Sequence, residues 1–174
     1  MSKYLILLLF IGLTTSLFSK THVRRFKLTH KIKHANASLS TDSVSADTLL
    51  HFAQSLLGTR YRSRCSDPLV GFDCSGFVSY VFKKFNFNVP RSSCEFISVG
   101  TKVRLEDARP GDIILFTGTK KHTRRIGHVG IVYCNSSDEF KFIHSTSGKE
   151  HGVTISNMDE RYKRRFVQVI RLLI

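Results

Sequence analysis

Apolar positions along the chain change their period once. Leu49, Leu50, Ala53, Leu56 and Leu57 recur at helical spacing behind Ser43 and Ser45, either of which can cap a helix, and Gly58 stops the run. A second helical pattern opens at Cys74, carries Phe77, Val78, Val81, Phe82 and Phe85, and is expected to end near residues 86–88, ahead of Pro90. From residue 109 the period becomes two. Arg109-Pro110-Gly111-Asp112 reads as a turn, Ile113–Phe116 as a buried strand, His128–Tyr133 as a second, Asn135–Asp138 as a turn, and Phe140–His144 as the returning strand. Further strands are expected over 152–155 and 166–173. Helices first and strands later predict an α+β fold, an antiparallel sheet covered by the helices on one side.

The first nineteen residues carry a different pattern. Lys3 precedes the apolar run Tyr4–Leu13, and Thr14–Ser19 is a small-residue stretch, which together read as a secretory signal peptide cut after Ser16 or Ser19. The run is too short for a span of roughly 20 residues. Residues 20–44 are basic and then rich in Ser, Thr, Asn and Ala, the composition of a flexible linker. A single folded domain is expected over 45–174, in a protein exported to the periplasm, cell envelope or extracellular space.

Charge narrows the partners. With 27 Lys and Arg against 13 Asp and Glu, the net charge is +14, concentrated at 20–33, 120–125 and 161–165. An exported chain with no helix-turn-helix or aromatic-rich RNA motif is not expected to bind nucleic acid; anionic envelope polymers or lipid head groups use the same electrostatics. The oxidising compartment bears on Cys65, Cys74, Cys94 and Cys134. If Cys74 stays free, at most one disulfide forms among the others. Their spacings fit no zinc pattern, and neither a metal nor a cofactor is expected.

Cys74 opens its helix, where unpaired N–H groups and the macrodipole favour the nucleophilic thiolate. His128 and His144 supply partners. If they stand opposite one another in the hairpin, its centre falls at residue 136, among the turn residues, and their Cβ atoms lie about 4.5–5.5 Å apart. One imidazole then takes the thiol proton while the other orients it. A slip of one residue would send His144 to the other face.

Phe72-Asp73-Cys74-Ser75-Gly76-Phe77-Val78, Val89-Pro90-Arg91-Ser92-Ser93, Arg109-Pro110-Gly111-Asp112-Ile113, Gly127-His128-Val129-Gly130-Ile131-Val132 and Phe142-Ile143-His144-Ser145 resemble, in order, the motifs of the NlpC/P60 cysteine peptidases. The resemblance implies a papain-like α+β fold and hydrolysis of peptide bonds in peptidoglycan stem peptides. The bond would be the D-glutamyl–diamino acid bond or the D-alanyl–diamino acid crosslink. It makes Cys74 the nucleophile, His128 the general base and His144 the residue that orients it. It places Tyr61 at the oxyanion or substrate, and Asp73, Ser75 and one of Ser92 or Ser93, preferably Ser93, at substrate. Arg62-Ser63-Arg64-Cys65 departs from the Trp-Gly-Gly loop of many members, and the connection between the histidines is longer. The alternative is a non-catalytic cationic envelope-binding module on the same fold.

Overall fold

The computed structural model describes residues 44–119 and 124–173. The expected signal peptide, the linker as far as residue 43 and the middle of the basic loop before His128 lie outside the described residues.

Ser45 caps the first helix, α1 (Ala46–Gln54), its hydroxyl accepting from Thr48 N at 3.2 Å, and Leu49, Leu50 and Ala53 face the core. The helix stops one turn before the apolar pattern does. A turn then leads to Gly58 at φ +80°, and Leu57, expected on the buried face, is 44% exposed because it lies in that turn. A two-residue ribbon, β1 (Ser66–Asp67) with β2 (Gly71–Phe72), delivers the chain to α2 (Cys74–Lys84). This helix ends two residues short of the expected boundary, where Asn86 turns into the left-handed region at φ 64°. A 3₁₀ turn (Ser93–Ser98) follows.

The sheet is six-stranded and antiparallel throughout. In chain order its strands are β3 (Thr101–Val103), β4 (Ile113–Thr117), β5 (Ile126–Asn135), β6 (Phe140–Ser145), β7 (Val153–Asn157) and β8 (Phe166–Arg171), arranged β3-β8-β4-β5-β6-β7. Alternation divides the apolar residues between its faces. Ile113, Leu115, Val129, Ile131, Ile143 and Ile170 pack under α1 and α2 with Phe72, Phe77 and Phe82. Burial of each such side chain contributes about 1.5–3 kcal/mol. Ile114, Phe116, Val132, Phe142 and Val169 point the other way. They pack with Ala108, Met158 and Tyr162, the last from a one-turn helix α3 (Glu160–Lys163). The N-terminal helices cover one face, as expected, and α3 with Ala108 and Met158 packs on the other. The short α3 escapes sequence reading because four residues carry no helical period.

The turn before β4 is locked to the last strand. Buried Asp112 accepts from Arg109 N at 2.7 Å and from Arg171 Nε and Nη2 at 2.9 and 2.7 Å, so the Pro-Gly-Asp motif closes the sheet instead of entering a site.

Candidate active site

The N-terminus of α2 is held from three sides. Asp73 caps it, Oδ1 accepting from Gly76 N at 2.6 Å, and Arg91 grips the same carboxylate through Nη1 at 3.0 Å and Nη2 at 2.8 Å. Asp73 N donates to Cys65 O at 3.0 Å, and a Cβ at Gly76 would collide with that carbonyl oxygen, so only glycine admits the approach. Ser145 Oγ donates to Phe72 O at 2.8 Å, tying the segment before Cys74 to the end of β6, next to His144.

His128 and His144 meet, but not as directly opposed residues. Near the turn the ladder pairs Asn135 with Phe140 and Cys134 with Lys141. Beyond a bulge at Tyr133 it pairs Val132 with Phe142 and Ile131 with Ile143. This register sets His144 across from Gly130, with His128 two residues further along the same face. The rings reach each other diagonally, His128 Nε2 and His144 Nδ1 hydrogen-bonded at 2.8 Å with the planes nearly perpendicular. Gly130 leaves the space this requires, since a Cβ there would stand 3.2 Å from His144 Cβ. A second bulge, at Gly127 between the pairs Phe116–His128 and Thr117–Ile126, precedes His128.

The hydrogen-bonded line continues one strand further. His144, 0% exposed, bonds through Nε2 to Ser156 Oγ on β7 at 2.9 Å. Ser156 was missed from sequence because the strand expected at 152–155 stopped one residue short of it; alternation carried on from His144's partner Thr154 would have found it.

Electrostatics correct the expectation of a resting thiolate. Burial and the Asp73 carboxylate raise the Cys74 pKa, and the backbone N–H groups of Ser75, Val129 and Cys74 oppose that rise without reversing it. Burial and the Arg165 charge push His128 down to about 3. One edge of the His128 ring still meets the cleft; water there moderates the drop, and the direction is what the chemistry below uses. His144 is likewise driven well below the ordinary imidazole value, by burial first and then by His128 and the nearby arginines. Burial and the acidic cap thus favour the neutral thiol, and burial with Arg165 favours the neutral imidazole. The helix terminus alone does not outweigh burial together with an acidic cap.

Cys74, His128 and Tyr61 line one cleft of about 380 Å³, with Lys149, Arg161, Tyr162 and Arg165 on its walls. His144 stands behind His128, out of the cleft. Asp73, Ser75 and Ser93 line a separate cleft of about 370 Å³ with Ser92, Arg64 and Arg91. Arg64, from the departing loop, stands where its φ of 58° turns the chain. All four cysteines are free thiols. Among the described residues, no group of three or more His, Cys, Asp or Glu side chains could hold a metal ion.

A family model described as the NlpC/P60 family matches residues 58–171, and the chain belongs to that family. It is 32% identical over 124 residues to the gamma-DL-glutamyl hydrolase of Bacillus subtilis, covering 70% of this chain and 28% of that one. It is 38% identical over 118 residues to the murein DD-endopeptidase MepS/murein LD-carboxypeptidase of Escherichia coli K12, covering 67% and 57%. The crystal structure of an NlpC/P60 family protein from Bacillus cereus superposes with a TM-score of 0.66 at 26% identity, over 76% of this chain and 41% of that one. The chain thus spans between about a quarter and three fifths of the length of these two relatives.

Proposed function

We propose that this protein is an exported cysteine peptidase that hydrolyses peptide bonds in the stem peptides of peptidoglycan. The observation that carries the reading is one cleft holding Cys74 and His128, with His128 tied from behind to a buried His144. The relatives named as murein and glutamyl hydrolases supply the substrate class. Residues 1–19 as a cleaved signal, and 20–44 as a basic tether ahead of the catalytic domain, complete the proposal.

The hydrogen-bonded line from His128 to Ser156 supports one assignment of the basic nitrogen. In the productive arrangement Ser156 Oγ accepts from His144 Nε2–H. His144 Nδ1 then accepts from His128 Nε2–H, which leaves the lone pair of His128 Nδ1 for the thiol proton. The reverse chain of donors would present an N–H to the thiol and disable the base.

The reaction then runs from two neutral partners. His128 Nδ1 takes the thiol proton as Cys74 Sγ bonds to the scissile carbonyl carbon. The oxyanion is held by the Cys74 backbone N–H and the Tyr61 hydroxyl, and the imidazolium gives its proton to the leaving amine as the C–N bond breaks. Water, deprotonated by His128, attacks the thioester; the carboxylic acid leaves and the thiol is restored. His144 holds the His128 ring and stabilises its transient charge. Asp73 and Ser75, with Ser93, face the acyl part of the stem peptide from their own cleft.

Purified mature protein incubated with isolated sacculi should release peptide fragments whose masses identify the bond cut, and Cys74→Ala should release none. Binding of sacculi without cleavage by both proteins would overturn the reading in favour of a cationic binding module.

A further inference from the structure

Arg165 is an unspent charge beside the base. Its Nε and Nη2 both donate to Thr117 O, at 3.0 and 2.7 Å, which fixes the guanidinium plane on the strand next to His128. It lies 5.7 Å from the centroid of the Tyr162 ring, with Arg161 at 5.0 Å, and that ring in turn stacks against His128 at 6.4 Å. Arg165 is half-buried, yet among the described residues no carboxylate lies within ion-pair distance of it. Among the described residues Arg161 reaches the exposed Asp159 alone, at 3.8 Å, and Glu150, which lines the same cleft, pairs with neither arginine. The Thr117 carbonyl answers one edge of the guanidinium but brings no counter-charge, so the arrangement is suited to an anion that arrives with the ligand.

We propose that Arg165, with Arg161 beside it, is a carboxylate subsite on the leaving-group side of the cleft, selecting stem peptides in which the residue that supplies the leaving amine carries a free carboxylate. This rests on the hydrolase reading above. The side follows from the chemistry: His128 must deliver a proton to the leaving amine, so the residue bearing that amine lies over the His128 wall, where Tyr162 and the two arginines stand. The Asp73, Ser75 and Arg91 cleft lies apart from this wall and receives the acyl part. In both candidate bonds the leaving amine belongs to a diamino acid; where that residue is diaminopimelate it brings a side-chain carboxylate, attached to the amine-bearing carbon at the crosslink and to the carbon four further along at the glutamyl bond, either free or converted to a carboxamide. A guanidinium distinguishes the two, because the carboxylate accepts charge-assisted hydrogen bonds that a carboxamide accepts only weakly. The Arg165 charge also opposes protonation of His128. A carboxylate seated on Arg165 offsets that opposition, so the right substrate strengthens its own base.

The test uses a crosslinked stem-peptide dimer, which contains both candidate bonds, prepared with its diaminopimelate side-chain carboxylates free or as carboxamides. The wild-type protein should favour the carboxylate dimer by about 10- to 100-fold in kcat/KM, and Arg165→Met should bring that ratio to within about threefold. A ratio taken on one protein preparation does not depend on how much of it is folded. A wild-type ratio near one, or a ratio that survives in Arg165→Met, overturns the subsite. Cleavage of neither dimer by the wild type would defeat the hydrolase reading instead. In that event calorimetric binding of the same two dimers to Cys74→Ala decides the subsite: a carboxylate preference lost in Cys74→Ala/Arg165→Met supports it, and equal binding of both dimers overturns it.

Discussion

Ser156 is the sharpest point at which to press on the mechanism, because it lies outside the cleft and acts only through His144. Ser156→Ala removes the partner of His144 Nε2, a nitrogen on a side chain with no solvent exposure. An unpaired buried polar group costs about 1–3 kcal/mol, which for a domain of this size lowers Tm by roughly 3–8 °C. A loss of stability alone would leave turnover per folded molecule unchanged. The tautomer argument requires more. The hydrogen bond biases His144 toward the Nε2–H form by about 1 kcal/mol, so its removal lets the reverse donor chain compete, takes the productive form from about 85% to about half of the molecules and lowers kcat by about twofold. Ser156→Thr keeps the hydroxyl at a strand position that tolerates a β-branched residue and should restore most of both losses. Nitrogen NMR of histidine-labelled protein reads the tautomers directly: His128 should be the Nε2–H form in the wild type and a mixture in Ser156→Ala. A variant with full kcat and an unchanged His128 tautomer would refute the relay, and a threonine variant as slow as the alanine one would show that shape and not the hydroxyl matters.

Three further outcomes follow from the same geometry. Gly130→Ala brings a Cβ to 3.0 Å from Phe142 Cδ2, 3.1 Å from Ile143 O and 3.2 Å from His144 Cβ; a cost of about 1–3 kcal/mol is expected, with kcat falling as the His128–His144 bond is pushed apart, and urea titration with wild-type stability would contradict the diagonal pairing. Asp73→Asn removes a charge that raises the Cys74 pKa, so iodoacetamide should alkylate Cys74 faster at pH 7, and a slower reaction would reverse the sign of the argument. Both His128 and His144 titrate well below their unfolded value in the folded chain. Their contribution to stability is therefore complete above about pH 6.5 and is lost as pH falls through the window below it, because only the unfolded chain binds the protons, at up to about 1.4 kcal/mol per pH unit for each histidine. Urea midpoints between pH 7 and pH 5 should show this slope and His128→Gln should reduce it; flat midpoints would place both rings in water.

The residues proposed to carry the chemistry stand beside local signals in the sequence: Cys74 behind a helix cap, His128 and His144 in strands that flank a turn. Electrostatics were less legible, since the thiol at a helix N-terminus reads as activated until burial and its own acidic cap Asp73 are weighed against the dipole. The polar line behind the base was not legible at all beyond His144. Ser156 comes from β7, Tyr162 from α3 and Arg165 from the turn after it, and only the folded sheet brings them to one face. Register shows why counting residues is not enough. The turn Ser136–Glu139 has four residues, closed by Ser136 N donating to Glu139 O at 2.9 Å, and starts the ladder with Asn135 opposite Phe140. Continued without interruption, that ladder would set His144 across from Ile131 and leave His128 on the opposite face. The extra residue at Tyr133, whose hydroxyl accepts from Gln54 Nε2 of α1 at 2.8 Å, shifts the count by one and returns both imidazoles to the same side. The expected hairpin, centred on residue 136, reached the same face by a symmetric pairing that the chain does not adopt. What decides the site is parity, and here a bulge near the turn sets it, anchored to a helix more than 70 residues earlier in the chain.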